Sequence, residues 1–218
     1  MDTATIVGCS GVTTDDATGP AARGDLRGRP QPSGPPRTAP LDPVGLDGER
    51  AALHARIATG PRKAQARVPL VDERDRLLGP FGVMLFSPRI GDAVQQVGAA
   101  LRFDDDLPPR LREVAVLAVA VHHGSAFEWA AHEDLARETG LSGAQLQAML
   151  DGAVPDGLDD AERAALDVVR ALLTGHDLGD DRYAAALAAL GRDTLAALVW
   201  LTGYYAMLAT ALAVFRPG

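Results

Sequence analysis

Three histidines, two glutamates and a serine lie in the stretch from residue 113 to residue 132. Glu128 and His132 are four positions apart, so both side chains lie on one face of a helix. A carboxylate beside an imidazole orients the ring and stabilises its protonated form, which is the minimum arrangement for general acid–base chemistry near neutral pH. Glu113 lies in the preceding apolar run, where a charge is costly unless it is paired. It meets Glu128 and His132 if the two helices form a hairpin around Gly124.

The same residues also allow structural interpretations, which the sequence leaves open. Ser125 and Glu128 have the spacing of a capping box, in which the glutamate side chain returns to the serine amide. Glu113 falls in the first turn of its predicted helix, where the helix dipole favours an acid at the surface. His132 alone is more often a hydrogen-bonded structural histidine than a catalytic one.

The sequence predicts neither a metal nor a cofactor. His122 and His123 end a predicted helix, where positive charge is favourable, and the chain has neither an HExxH motif nor an HxH pair with a distant carboxylate. Dinucleotide-binding, P-loop and GxSxG motifs are not found. The single cysteine, Cys9, excludes an internal disulfide and a CxxC redox pair.

The elements that position these residues are predicted to be helices, because alanine and leucine dominate the second half of the chain. Segment 68–86 is the exception and is predicted to be an extended or looped connection. Four predicted helices run from Asp47 to Gly60, from Ser87 to about Leu101, from Pro108 to Gly124 and from Ser125 to about Glu138. Capping boxes at Ser142–Gln145 and Asp159–Glu162 predict the starts of two more helices, and two last helices follow from residue 180.

Composition divides the chain into two parts. Residues 1–45 are rich in Gly, Pro, Thr and Asp and are predicted to be a disordered leader, and residues 46–218 to be one all-α domain. The net charge of −8 without a basic patch argues against nucleic-acid binding. The start of the chain lacks the pattern of a signal peptide, so we expect a cytoplasmic protein.

The uncharged segment 194–215 is long enough to span a bilayer, but Gly203, Tyr204 and Tyr205 lie in its middle. No basic cluster lies beside it. We therefore expect a helix that is buried in a core or between subunits, and no membrane contact.

Several motifs together resemble the carboxymuconolactone decarboxylase and alkylhydroperoxidase AhpD-like superfamily. They are Leu111-Arg112-Glu113 followed by AVLAVAVHHGSAFEWAAHEDLAR, LGPFGVMLFSPRIGD at 78–92, GLS at 140–142, and Gly203-Tyr204-Tyr205. The resemblance covers about residues 65–216. It implies an AhpD-like helical bundle protomer that assembles into homo-oligomers, either trimers or hexamers.

In the peroxidase branch of this superfamily the signature is a glutamate, a CxxC pair and a histidine. Glu113 and His132 match the first and last positions, whereas Ser125 and Glu128 occupy the two cysteine positions. A thiol peroxidase needs those thiols, so the resemblance favours the decarboxylase-like branch, which uses acid–base side chains and no cofactor. Ala213-Val214-Phe215 departs from the Asn-Ala-Phe of many relatives, which points to a different substrate.

The resulting hypothesis is a cofactor-independent lyase or isomerase that acts on a small carbonyl or lactone acid. A non-catalytic oligomeric binding or scaffold protein is the alternative, and a hydroperoxide reductase is less favoured. The predicted catalytic residues are His132 as proton carrier, Glu128 and Glu113; the predicted substrate-binding residues are His122, His123, Ser125, Phe81, Met84 and Tyr204.

Overall fold

The computed structural model describes residues 26–31, 34–60, 63, 66–102 and 106–218. Over these residues the regular elements are helices, with no strand, which confirms the all-α prediction. A 3-10 turn (Pro43–Gly45) precedes them. The helices are α1 (Gly48–Thr59), α2 (Gly79–Met84), α3 (Pro88–Arg102), α4 (Pro109–His123), α5 (Ala126–Glu138), α6 (Gly143–Leu150), α7 (Asp160–Gly175), α8 (Asp180–Leu190) and α9 (Arg192–Phe215).

The capping residues predicted from the sequence fix the ends of several helices. The Asp47 side chain accepts the Arg50 amide at the start of α1. Both predicted capping boxes are present, at the starts of α6 and α7. Gly124 ends α4 in the left-handed conformation, with φ 62°, which glycine adopts without strain.

Helix α4 is the centre of the core. Its residues from Glu113 to Ala120 are all buried, and it packs against α5, α7 and α9. This explains why its sequence is apolar almost without interruption, since no face of the helix remains for solvent. The residues from Glu113 to Ala120 therefore face neighbouring helices rather than water.

Segment 68–86 corrects one prediction, because Gly79–Met84 is a short helix rather than an extended or looped connection. Six residues are too few to show helical periodicity, and glycine has a low helix propensity, so burial decides the conformation here. Gly79 has φ 58°, and the Phe127 ring occupies the space that a Cβ atom would need. Gly79 therefore lets Phe127 of α5 pack directly on α2.

The described part of the predicted leader lies on the helical domain. Leu26 is buried, and the Arg29 guanidinium pairs with Glu133 of α5 at 2.8 Å. The Arg37 amide donates to the Arg216 carbonyl beyond α9 at 2.9 Å. These contacts offset the ordering entropy of a Pro- and Gly-rich segment. The prediction of disorder for residues 1–25, which include Cys9, lies outside the described residues.

Helix α9 is long and apolar enough to cross a membrane by length and composition. It nevertheless packs against α2, α3, α4, α7 and α8, and 39% of its most apolar window is buried inside the protomer. A core helix of a soluble protein has the same properties, so the helix by itself is weak evidence for a membrane span.

Candidate active site

The hairpin of α4 and α5 brings Glu113 and His132 into direct contact. His132 Nδ1 lies 2.7 Å from Glu113 Oε2, and both side chains are buried, at 3% and 2% exposure. Glu113 is thus not a surface acid at a helix start. The αL turn at Gly124 reverses the chain so that the second turn of α4, with Glu113, lies beside the second turn of α5, with His132.

Glu113 is held in its ionised form. Burial of its carboxyl would raise the pKa, but the charge and hydrogen bond of His132, together with Arg112, outweigh burial and lower it. The Arg112 guanidinium lies 3.3 Å from Glu113 Oε1. Because an ionised carboxylate only accepts hydrogen bonds, the Nδ1–H of His132 is the donor to Glu113. This contact fixes the orientation of the imidazole ring.

Tyr205 of α9 completes the environment of the imidazole. Its hydroxyl lies 3.1 Å from His132 Nε2, and the two rings meet edge to face at 5.2 Å. Burial raises the pKa of the Tyr205 phenol, against the opposing charge of Arg102, so the phenol stays protonated. When His132 is neutral with its proton on Nδ1, Nε2 accepts from the Tyr205 hydroxyl. When the ring is protonated, Nε2 donates instead.

The Glu128 carboxylate does not form the capping box that its spacing with Ser125 allows. The Ser125 hydroxyl does accept the Glu128 amide, at 3.4 Å, so Ser125 is the N-cap of α5. The Ser125 amide, however, donates to the Ala120 carbonyl at 2.8 Å and is not available to the Glu128 side chain. Glu128 is instead buried, at 3% exposure, in the wall of a cavity that it shares with His132.

This cavity has a volume of about 30 Å³. That is room for about two water molecules. Its polar lining comes from Glu128, His132, Tyr204, Tyr205, Arg67 and Arg102, and its apolar lining includes Phe81, Phe127, Leu135 and Leu208. The cavity therefore combines acidic, basic and phenolic groups inside apolar walls, an arrangement typical of small-molecule sites.

Not every predicted site residue reaches this cavity. Phe81 and Tyr204 line it as predicted, whereas Met84 is buried but packs beside Gly91, and Ser125 serves as the cap of α5. His122 and His123 lie at the far end of α4, exposed to solvent, with their rings in edge contact at 5.0 Å. Nine to ten residues of helix place them roughly 14–15 Å from Glu113 along the axis, so they do not line this cavity, and their role in substrate binding stays a prediction.

Sequence reasoning missed the roles of Tyr205 and Arg102. A tyrosine in the middle of an uncharged helix signals a hydrogen-bond partner, since buried phenols seldom lack one. Its partner, His132, is 73 positions away, and no local pattern predicts that pairing. Arg102 ends α3 and reads as an ordinary basic residue at a helix C-terminus.

Among the described residues, no group of three or more histidine, cysteine, aspartate or glutamate side chains could hold a metal ion. His132 is surrounded by one carboxylate and one phenol at hydrogen-bond distance. This geometry suits proton transfer rather than metal ligation.

Comparison with known proteins supports the resemblance found in the sequence. Residues 88–171, from α3 into α7, match the carboxymuconolactone decarboxylase family, and the matched range contains Glu113, Glu128 and His132. Tyr205 and α2 lie outside that range. No curated protein matches the chain. The helical fold and this match support the resemblance of the domain to the carboxymuconolactone decarboxylase and AhpD-like superfamily.

Proposed function

We propose that this protein is a cofactor-independent lyase or isomerase that performs acid–base chemistry through an enolate on a small carbonyl or lactone acid. The observation that carries the proposal is the His132 imidazole held between the Glu113 carboxylate and the Tyr205 phenol at the wall of a cavity. Ser125 and Glu128 stand at the positions of the peroxidase thiols, which supports the decarboxylase-like branch.

In a decarboxylation, the bond between the α-carbon and the carboxylate breaks, and its electron pair passes into the adjacent carbonyl to give CO₂ and an enolate. The His132 imidazolium then donates its Nε2 proton to the enolate carbon and becomes neutral. Ionised Glu113 stabilises the imidazolium through Nδ1–H, and water restores the proton. The protonated Tyr205 hydroxyl donates a hydrogen bond to the developing oxyanion.

An isomerisation would use the same groups in another order. Neutral Nε2 removes a proton from the carbon next to the carbonyl, and the resulting imidazolium returns it at a different carbon of the enolate. Buried Glu128, which lines the cavity, would serve as a second acid or base. In either reaction the cavity of about 30 Å³ must open before a substrate enters, because it holds about two waters.

The test is incubation of the protein with a panel of small carbonyl and lactone acids in D₂O, followed by mass spectrometry. We expect carbon-bound deuterium in the product and a decrease of at least about 10²-fold for His132→Gln. Ser125→Ala is the matched control, because Ser125 caps the same helix outside the cavity lining, and it should retain the activity. No conversion across the panel, or full activity of His132→Gln, would refute the proposal.

We also propose that a second copy of the chain covers the outer face of α9 and that the protein is a trimer or hexamer in the cytoplasm. Trp200, Met207 and Val214 are 70%, 44% and 51% exposed, and their spacing of seven residues places them in one stripe. Such a stripe is typical of helix–helix interfaces. Trp200→Glu should reduce the mass in sedimentation velocity. An unchanged mass, or flotation of the wild type with lipid vesicles, would contradict this assembly.

A non-catalytic oligomeric binding or scaffold protein is the second candidate. The small volume of the cavity and the exposed stripe on α9 favour it. A scaffold would show no turnover to lose in His132→Gln but would lose assembly in Trp200→Glu. A hydroperoxide reductase is less favoured, and retention of any peroxide reduction after removal of Cys9 would exclude a thiol mechanism.

A further inference from the structure

Arg102 stands between two neighbouring cavities. One is the cavity of about 30 Å³ that contains His132, and the other is a more open pocket of about 330 Å³ beside Glu113. Arg67, Arg102 and Leu135 line both. These three side chains therefore form a wall that the two cavities share.

The larger pocket carries an excess of positive charge. Three guanidinium groups, of Arg67, Arg102 and Arg112, face two carboxylates, of Glu113 and Glu138. Arg67 binds both oxygens of Glu138, at 2.8 and 2.7 Å. Arg112 contacts Glu113 at 3.3 Å and donates to the Arg102 carbonyl at 2.8 Å. Both carboxylates are thus already engaged by other residues.

Arg102 differs from the other two arginines. Its Nε atom is buried and has no hydrogen-bond acceptor among the described residues, and no ion pair joins its guanidinium to a carboxylate in that part of the chain. A buried guanidinium donor without an acceptor is costly, and a planar carboxylate is its best partner. Arg102 also lines the same cavity as His132 and Tyr205, so it lies near the proposed reacting groups.

We propose that Arg102 binds a carboxylate of the substrate and so directs its carbonyl end towards His132. This inference rests on the proposed function and specifies it: the substrate is an anionic carbonyl compound, and Arg102 recognises its carboxylate at the cavity that contains His132. The contact is a salt bridge that forms on binding, so substrate recognition by Arg102 transfers no proton and needs no further acid or base.

The experiment measures binding without turnover. The probe is 4-oxopentanoate, with its uncharged analogue 4-oxopentanamide, titrated while the His132 ring signals are followed by NMR. For the wild type we expect saturable shifts with the acid and at least about tenfold weaker binding of the amide, equivalent to 1.4 kcal/mol. Arg102→Met should weaken acid binding by at least about tenfold and leave amide binding unchanged. Arg102→Lys should restore part of the affinity, because it restores the charge without the planar fork.

Arg163→Met is the control, because it removes an arginine that pairs with Asp160 on the surface of α7, away from both pockets. Its affinity for the acid should remain within about twofold of the wild-type value. If the wild type binds the acid and the amide with equal affinity, the proposal is overturned. This comparison needs no variant, so the proposal can be refuted even if Arg102→Met does not fold. Unchanged acid binding in folded Arg102→Met, or no saturable acid binding at all, also overturns it. Such a result would not affect the His132-dependent incorporation of deuterium that tests the proposed function. The proposal for Arg102 and the proposed function can therefore fail independently.

Discussion

Replacement of Glu113 by glutamine tests whether the buried ion pair is formed as the structure indicates. Glutamine keeps the shape of the side chain and an oxygen that accepts Nδ1–H of His132, but it removes the negative charge. The contact to Arg112 changes from an ion pair to a neutral one. We expect a folded protein with a lower free energy of unfolding at pH 7.

The magnitude follows from the two contacts of the carboxylate. The short contact to buried His132, at 2.7 Å, is a charge-assisted hydrogen bond of about 1.5–3 kcal/mol, of which a neutral bond retains about 1 kcal/mol. The contact to Arg112 is longer, at 3.3 Å, and the Arg112 side chain is 18% exposed, so it adds at most about 1 kcal/mol. The expected loss is about 0.5–3 kcal/mol.

The loss should depend on pH in a defined direction. The pKa of Glu113 in the folded protein lies below its ordinary value of 4.5, so its stabilising contribution is complete above about pH 4.5. This contribution disappears as the pH falls through the lowered folded pKa. The difference between wild type and Glu113→Gln should therefore be largest at neutral pH and shrink below pH 4.5.

Urea unfolding followed by circular dichroism, between pH 7 and pH 3, measures this difference. A double-mutant cycle with His132→Gln isolates the pair, and we expect a coupling energy of about 1–3 kcal/mol at pH 7. A difference smaller than about 0.5 kcal/mol at pH 7 would refute the buried ion pair, since surface substitutions have effects of that size. A difference that grows as the pH falls would refute the sign of the Glu113 pKa shift.

Three further predictions concern neighbouring groups. Tyr205→Phe removes the donor to Nε2 and should cost about 1 kcal/mol of stability while lowering kcat more than it raises KM, as steady-state kinetics on an identified substrate would show. Ser125→Ala should cost about 1 kcal/mol in urea unfolding through loss of the α5 cap, and a loss of activity would contradict the purely structural role of Ser125. Burial raises the pKa of Glu133, but hydrogen bonds from Arg29, Arg137 and Trp129 lower it to about 2. Glu133→Gln should therefore lose up to about 3 kcal/mol above pH 4.5, and this loss should disappear as the pH falls through about 2, as unfolding at several pH values would show.

Local patterns predicted the helices well because their determinants are local. The caps at Asp47, Ser125, Ser142 and Asp159 are formed by side chains within three residues of the amides they bind. Helix α2 was missed because its conformation depends on burial against other helices. The contact of Arg29 in the described part of the predicted leader is also non-local, since its buried partner is Glu133 on α5.

The candidate site could be predicted only in part. The contact between Glu113 and His132 follows from one αL turn and two helices of known length, so the sequence suffices. The contributions of Tyr205 and Arg102 depend on how α9 and α3 pack on that hairpin. The spacing of Ser125 and Glu128 fits a capping box as well as it fits a place for Glu128 in the site. In the structure the Ser125 amide donates to the Ala120 carbonyl, so the Glu128 side chain does not complete a capping box.

The energetic cost of the site argues that its residues are kept for chemistry. Glu113, Glu128 and His132 are each at most 3% exposed, and all three lie in a core that is mainly apolar. Replacement of buried ion pairs by well-packed apolar residues is often neutral or stabilising, so stability does not explain their presence. A scaffold that used only the outer face of α9 would gain nothing from them. An acid–base enzyme needs this arrangement, because desolvated groups held in fixed positions act most strongly on a reacting molecule.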